Sequence, residues 1–166
     1  MSPYSEYALT GEEKNRGLIL PCRSVPWSDC EISIVDDDET RVHANRLLEC
    51  KVVDLIQATH DIKIVKMSVQ SGGPYDFSAG QYASLTFEKL PPRDYSMANT
   101  PDTNTLEFHI RLLPDGAVTP HIQNSLKVGD TVNVQGPYGT AYLRENHKGP
   151  IIAVAGGSGL APIQSI

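Results

Sequence analysis

Between residues 46 and 148 apolar side chains return at every second position, and this period limits the fold more than any other feature. It runs through Val65, Met67 and Val69, then Ala83, Leu85 and Phe87, then Leu106, Phe108, Ile110 and Leu112, and finally Val132 and Val134. Period 2 turns one face of an extended segment to a core and the other to water, so the stretch reads as strands rather than helices. Turn residues separate the runs: Ser71-Gly72-Gly73-Pro74, Leu90-Pro91-Pro92, Asn99 to Asn104, Pro114-Asp115-Gly116 and Gly136-Pro137-Tyr138-Gly139. Short strands at this spacing predict a small antiparallel barrel. One helix is expected to interrupt it over residues 119–126, entered after Gly116. With 13 Gly and 12 Pro among 166 residues, turn formers are plentiful enough for such short elements.

The flanks read differently. Residues 1–45 are polar and turn-rich; only 31–35 resembles a strand, and Asp36-Asp37-Asp38-Glu39 reads as a solvated linker. From Gly149 the pattern changes again, to the continuous apolar run Ile151-Ile152-Ala153-Val154-Ala155. Such a run predicts a strand buried on both faces of a parallel sheet. It leads into Gly156-Gly157-Ser158-Gly159-Leu160-Ala161-Pro162, a turn and a helix start. A parallel strand needs a crossover and a neighbour, and no further strand follows, so the sequence is expected to end inside a domain.

Charge and cysteine content remove several classes. Acidic residues outnumber basic ones, 20 to 14, for a net charge of −6. That sign disfavours phosphate-backbone binding, so no nucleic-acid partner is expected. The longest apolar run, 151–155, is far too short for a membrane span, and residues 1–15 lack the order of a secretory signal. A cytoplasmic protein without membrane contact is expected. Cys22, Cys30 and Cys50 form an odd set without a CxxC pair, so neither a zinc knuckle nor a disulfide framework can be read from them.

Three constellations carry chemistry. In Gly157-Ser158-Gly159 side chains vanish where a backbone must turn sharply near a diphosphate, and Pro162 can occupy the first turn of the helix that follows. Pro162 stands where the usual dinucleotide fingerprint has its third glycine; a ligand-free tight turn is the alternative. In Arg93-Asp94-Tyr95-Ser96 the arginine can fork onto a diphosphate, the tyrosine offers a flat face to an aromatic ring, and the serine can bond a heterocycle nitrogen. The alternative is an edge strand with Arg93 paired to Asp94. In Phe108-His109-Ile110-Arg111 the alternation sends Phe108 and Ile110 to the core and sets His109 beside Arg111 on the barrel surface. Gly116 and Thr119 then open a helix whose hydroxyl and backbone N–H groups can receive a phosphate. An ordinary surface histidine, surface charge and helix cap are the alternatives there.

Taken in order, these motifs resemble the ferredoxin–NADP reductase superfamily. The nearer likeness is to the reductase component of bacterial aromatic-ring dioxygenases of the naphthalene type. Thr59-His60-Asp61-Ile62, Gly80-Gln81-Tyr82-Ala83, Tyr95-Ser96-Met97-Ala98, residues 107–111, residues 139–144 and Gly159-Leu160-Ala161-Pro162 carry the likeness, which spans about residues 18–166. It implies a mainly β fold: a Greek-key FAD-binding barrel over 46–148, followed over 149–166 by the first strand and helix start of an α/β NAD(P)-binding domain. Residues 1–45 would be a remnant of a plant-type [2Fe–2S] ferredoxin domain with its linker.

The resemblance implies roles residue by residue. Arg93 would contact the FAD diphosphate, Tyr95 would lie against the isoalloxazine, and Ser96 would sit near its reactive edge, the latter two serving catalysis. His109, Ile110 and Arg111 would line the flavin nucleotide, with Gly116 and Thr119 at its diphosphate. Gly157, Ser158, Gly159 and Pro162 would face the nicotinamide nucleotide, with NAD(P)H as substrate. Cys22 would be the last iron ligand of the cluster, but the C-x₄-C-x₂-C set that a plant-type centre needs is missing upstream, so a [2Fe–2S] group is expected in the parent protein only. Asp94 also departs from the family, which more often has a small residue or proline there. The function implied is electron transfer from NAD(P)H through FAD to a ferredoxin or Rieske oxygenase component. The alternatives are a reductase serving a monooxygenase or a deoxysugar dehydrase, and a non-catalytic remnant barrel.

Overall fold

The computed structural model describes residues 9–20, 24–31 and 41–166. The chain divides into two compact units, residues 1–38 and 39–166. In the first, helix α1 (Gly11–Asn15) begins with a capping box: Glu13 N donates to Thr10 Oγ1 at 3.3 Å, and Thr10 N donates to Glu13 Oε2 at 2.8 Å. The expected strand at 31–35, the acidic linker and Cys22 lie outside the described residues, apart from Glu31.

The second unit contains a barrel of the kind the alternation predicts. Strands β1 (Arg46–Gln57), β2 (Ile62–Ser71), β3 (Tyr82–Phe87), β4 (Arg93–Ser96), β5 (Thr105–Arg111) and β6 (Thr131–Tyr138) form one antiparallel sheet in the order β4-β3-β6-β1-β2-β5. Every apolar residue singled out by the alternation as far as Phe87, and from Leu106 to Val134, is buried, except that Val69 is only partly covered. β1 keeps the same rule, with Leu48, Cys50 and Val52 inside, although no clean alternation marks it in the sequence. Its two outer neighbours, Leu47 and Val53, are apolar too, and they blur the alternation.

Helix α2 (Thr119–Asn124) packs Ile122 into the core. It ends two residues earlier than expected, because Leu126 turns inward to join that core. Lys63 Nζ donates to the carbonyls of Ile122 and Gln123, 2.9 Å each, a cation on the open carbonyls of a helix C-terminus. Gly136-Pro137-Tyr138 belongs to β6 rather than to a turn; the chain turns at Gly139, whose φ is +95°.

The apolar run 151–155 corrects the expectation of a buried strand. It pairs with no described segment, and Ile152 and Val154 are 91% and 90% exposed. A strand without a neighbour leaves its backbone to water. The glycine turn follows as a single 3₁₀ turn (Gly157–Gly159), then helix α3 (Leu160–Ser165) with Pro162 in its first turn, as expected. Helix α3 packs on the outer face of β5, and its Ser165 Oγ donates to Asn99 O, between β4 and β5, at 2.8 Å.

Cys50 is fully buried, and burial, reinforced by Glu49, pushes its thiol up to about 12. Burial raises the Tyr75 phenol in the same direction, and its hydroxyl has no hydrogen-bond partner among the described residues. An unfolded thiol ionises near ~8.5, so the stability held by the neutral Cys50 is complete below that pH and is lost as pH climbs toward the folded value. The melting temperature is therefore expected to fall steadily above about pH 9. Alkylation of Cys50, followed by peptide mass spectrometry, should occur only under unfolding conditions; labelling of the native chain at neutral pH would contradict this packing.

Candidate functional site

The barrel closes between β4 and β5 by a single bridge, Met97 to Phe108, backed by Ala98 N donating to Glu107 O at 2.8 Å. On the Arg93 side of that bridge no ladder joins the two strands among the described residues. Their facing edges leave a groove of about 210 Å³, lined by Arg93, Asp94, Tyr95, Arg111, Leu113 and residues 116–119. Arg93 to Tyr95 of the Arg-x-Tyr-Ser motif and the Gly-x-x-Thr motif, distant in sequence, thus reach one surface feature.

Each wall has a local cause. Arg93, Asp94 and Tyr95 all border the groove, Arg93 and Tyr95 on the same face of β4. The Tyr95 ring packs against the core cluster, and burial pushes its phenol above the usual range, opposed by the nearby Arg93. Arg93 is exposed and donates from Nη1 to Pro92 O at 3.0 Å. Arg111 ends β5 and is held by Asp61, Nε to Oδ2 at 3.1 Å. The Thr59 hydroxyl chiefly, with His60 and Arg111, holds the Asp61 carboxyl below the usual carboxylate range. In the loop between β5 and α2, Thr119 Oγ1 donates to Leu113 O at 2.6 Å and accepts from Leu113 N at 3.1 Å. A Cβ on Gly116 would collide with that hydroxyl, so glycine is required for the loop to close this tightly. The Thr119 hydroxyl is thereby committed to the backbone. It shapes the wall of the groove.

Other expected residues are placed differently. Ile110 is fully buried, so only its backbone borders the open edge of β5. His109 does point away from the core beside Arg111 along β5, but it is 8% exposed rather than free on the surface. Its Nε2 lies 3.0 Å from Glu107 Oε1, which also accepts from Gln164 Nε2 at 3.1 Å. The C-terminal segment lies over this strand, which a reading of β5 alone could not foresee. Burial tends to raise the Glu107 carboxyl, but hydrogen bonds from His109 and Gln164 and the charge of Lys66 outweigh it and hold it below the usual range. Ser96 is half-buried at the end of β4, paired with Tyr82, and does not line the groove. Gly157, Ser158 and Gly159 lie against β5, outside the groove, with Gly157 at φ +57°. Among the described residues no cluster of His, Cys, Asp and Glu could hold a metal ion, and no helix is long and apolar enough to cross a membrane.

Asp61, Leu113, Ala117 and Val118 were not assigned from the sequence. Asp61 carried a usable signal, since Thr-x-Asp is a spacing at which a hydroxyl can bond a carboxylate across a turn. The apolar lining residues carried none.

Residues 49–142 match the family model of the oxidoreductase FAD-binding domain. The chain is 43% identical over 152 residues to the reductase component of a naphthalene 1,2-dioxygenase system of Pseudomonas putida, covering 92% of this chain and 46% of that protein. It is 35% identical over 171 residues to a propane 2-monooxygenase reductase component of Gordonia sp. (strain TY-5), covering all of this chain and 49% of that one. Among solved structures, an Amycolatopsis cytochrome P450 reductase superposes with a TM-score of 0.72 at 34% identity, over 98% of this chain and 50% of its own. The ferredoxin reductase of a carbazole 1,9a-dioxygenase gives 0.69 at 32% identity, over 75% and 38%. The chain spans about half the length of the curated relatives it matches.

Proposed function

Because the chain belongs to the family of oxidoreductase FAD-binding domains, we propose that it holds FAD in the groove between β4 and β5. It would serve there as the flavin module of a reductase that carries electrons from NAD(P)H to an iron–sulfur acceptor of an oxygenase system. The observation that supports this most is the convergence of Arg93, Tyr95, Arg111 and the Gly116–Thr119 loop on one groove.

The residues present fit the group. The Arg93 and Arg111 guanidiniums border a groove from two different strands, matching the two negative charges of a diphosphate; a fork on each phosphate gives both energy and orientation. Tyr95 offers its ring to a flat heterocycle, and with its phenol raised by burial it stays neutral and can donate a hydrogen bond. The close fastening of Leu113 by Thr119 fixes the loop as one wall of the groove. The half-buried Ser96 hydroxyl follows Tyr95 directly at the end of the same strand. When bound, FAD supplies the conversion of one two-electron hydride into two single-electron transfers. The protein's share is to anchor, orient and shield.

The acceptor is proposed as a ferredoxin or Rieske-type component, because the relatives are named as reductase components of dioxygenase and monooxygenase systems. Residues 149–166, whose glycine turn lies against β5, are proposed as the side from which the nicotinamide nucleotide approaches. The reading is tested by incubating the chain with FAD and removing free flavin by gel filtration. A yellow complex with about one flavin per chain is expected; a colourless protein after saturating FAD would overturn it.

A further inference from the structure

Arg111 borders the groove with a side chain that is 62% exposed, and an exposed guanidinium ordinarily samples many rotamers. Here it is held from one side. Asp61, in the turn between β1 and β2, accepts from Arg111 Nε on Oδ2 at 3.1 Å. Its other oxygen accepts from the Thr59 hydroxyl at 2.9 Å, which fixes the plane of the carboxylate. The backbone joins the same hold: Leu112 N donates to Asp61 O at 2.7 Å, continuing the Ile62–Arg111 register of β2 with β5. His60 Nε2 lies 3.8 Å from Oδ1, beyond hydrogen-bond reach, on a side chain that is 92% exposed.

The choice of nitrogen matters. The bond to Asp61 uses Nε, and neither Nη group of Arg111 has a hydrogen-bond partner among the described residues. A guanidinium gripped by Nε keeps its two outer nitrogens for a second anion, in the plane suited to two phosphate oxygens. A carboxylate near an anion site repels the ligand unless its charge is met, and the arginine meets it.

We infer that Asp61 is a positioning residue: by holding Arg111 through Nε it aims Nη1 and Nη2 at a dinucleotide diphosphate in the groove. This rests on the flavin reading above and adds a role in the β1–β2 turn. The test titrates the chain with FAD and with FMN in four forms: unmodified, Asp61→Asn, Arg111→Ala, and both together, with melting temperatures recorded for each. FMN shares the ring system but carries a single phosphate and no adenosine. Asp61→Asn is expected to weaken FAD by about fivefold and FMN by less than about twofold. In the Arg111→Ala background the same change should do nothing further, because there is no fork left to aim. Equal losses for both flavins, or losses that add in the double variant, would overturn the inference. An unchanged FAD affinity in Asp61→Asn would also overturn it. An unmodified chain that binds neither flavin would refute the functional reading itself, a result distinguishable from the others because it appears before any substitution.

Discussion

Phe108→Ala is expected to lower the stability of the chain by about 3–5 kcal/mol in urea unfolding, the range for emptying a buried aromatic site. Phe108 is fully buried and bridges Met97, itself fully buried, at the single point where the barrel closes. Truncation there removes the transfer free energy of the ring and leaves a cavity that rigid neighbours on β2 and β4 cannot collapse to fill. Against the roughly 5–15 kcal/mol that holds a typical domain, much of the folded population is at risk. The seam also borders the groove, so any folded remainder should bind FAD more weakly. A loss of less than about 1 kcal/mol would show that closure does not depend on this ring.

Arg93→Ala is expected to weaken FAD binding by about 1.5–3 kcal/mol, the worth of a hydrogen bond to a charged group, or roughly ten- to more than a hundredfold in Kd. The side chain is exposed and, among the described residues, its hydrogen bond goes to Pro92 O at 3.0 Å, so its removal should leave the melting temperature nearly unchanged. That separates it from Phe108→Ala, in which binding and stability fall together. Fluorescence titration measures it. Unchanged affinity would move the diphosphate away from this end of β4.

Much of the barrel was legible because its strands are half-buried and local: Ala83, Leu85 and Phe87 declare an inward face without reference to any partner. β1 was not read, since Leu47 and Val53 put apolar residues on the outward face beside Leu48, Cys50 and Val52. The run 151–155 shows the limit of periodicity, because a continuous apolar run signals burial only if neighbouring strands are there to bury it. Arg93 and Tyr95 line one groove with Arg111, Gly116 and Thr119, far from them in sequence. The role of the Thr119 hydroxyl did not follow from sequence: the Leu113 backbone claims it across a loop. Nor could alternation reveal that Glu107 and the C-terminal segment cover His109. Asp61 acts on a residue fifty positions away, a distance at which no local pattern speaks.

The groove between β4 and β5 as the seat of the flavin diphosphate is tested most directly by a crystal structure of the chain grown with FAD. The two phosphates are expected within hydrogen-bond distance of Arg93 and of the Arg111 Nη atoms, with the flavin ring against Tyr95. Ordered FAD bound at any other place on the barrel, with both guanidiniums left in solvent, would contradict it.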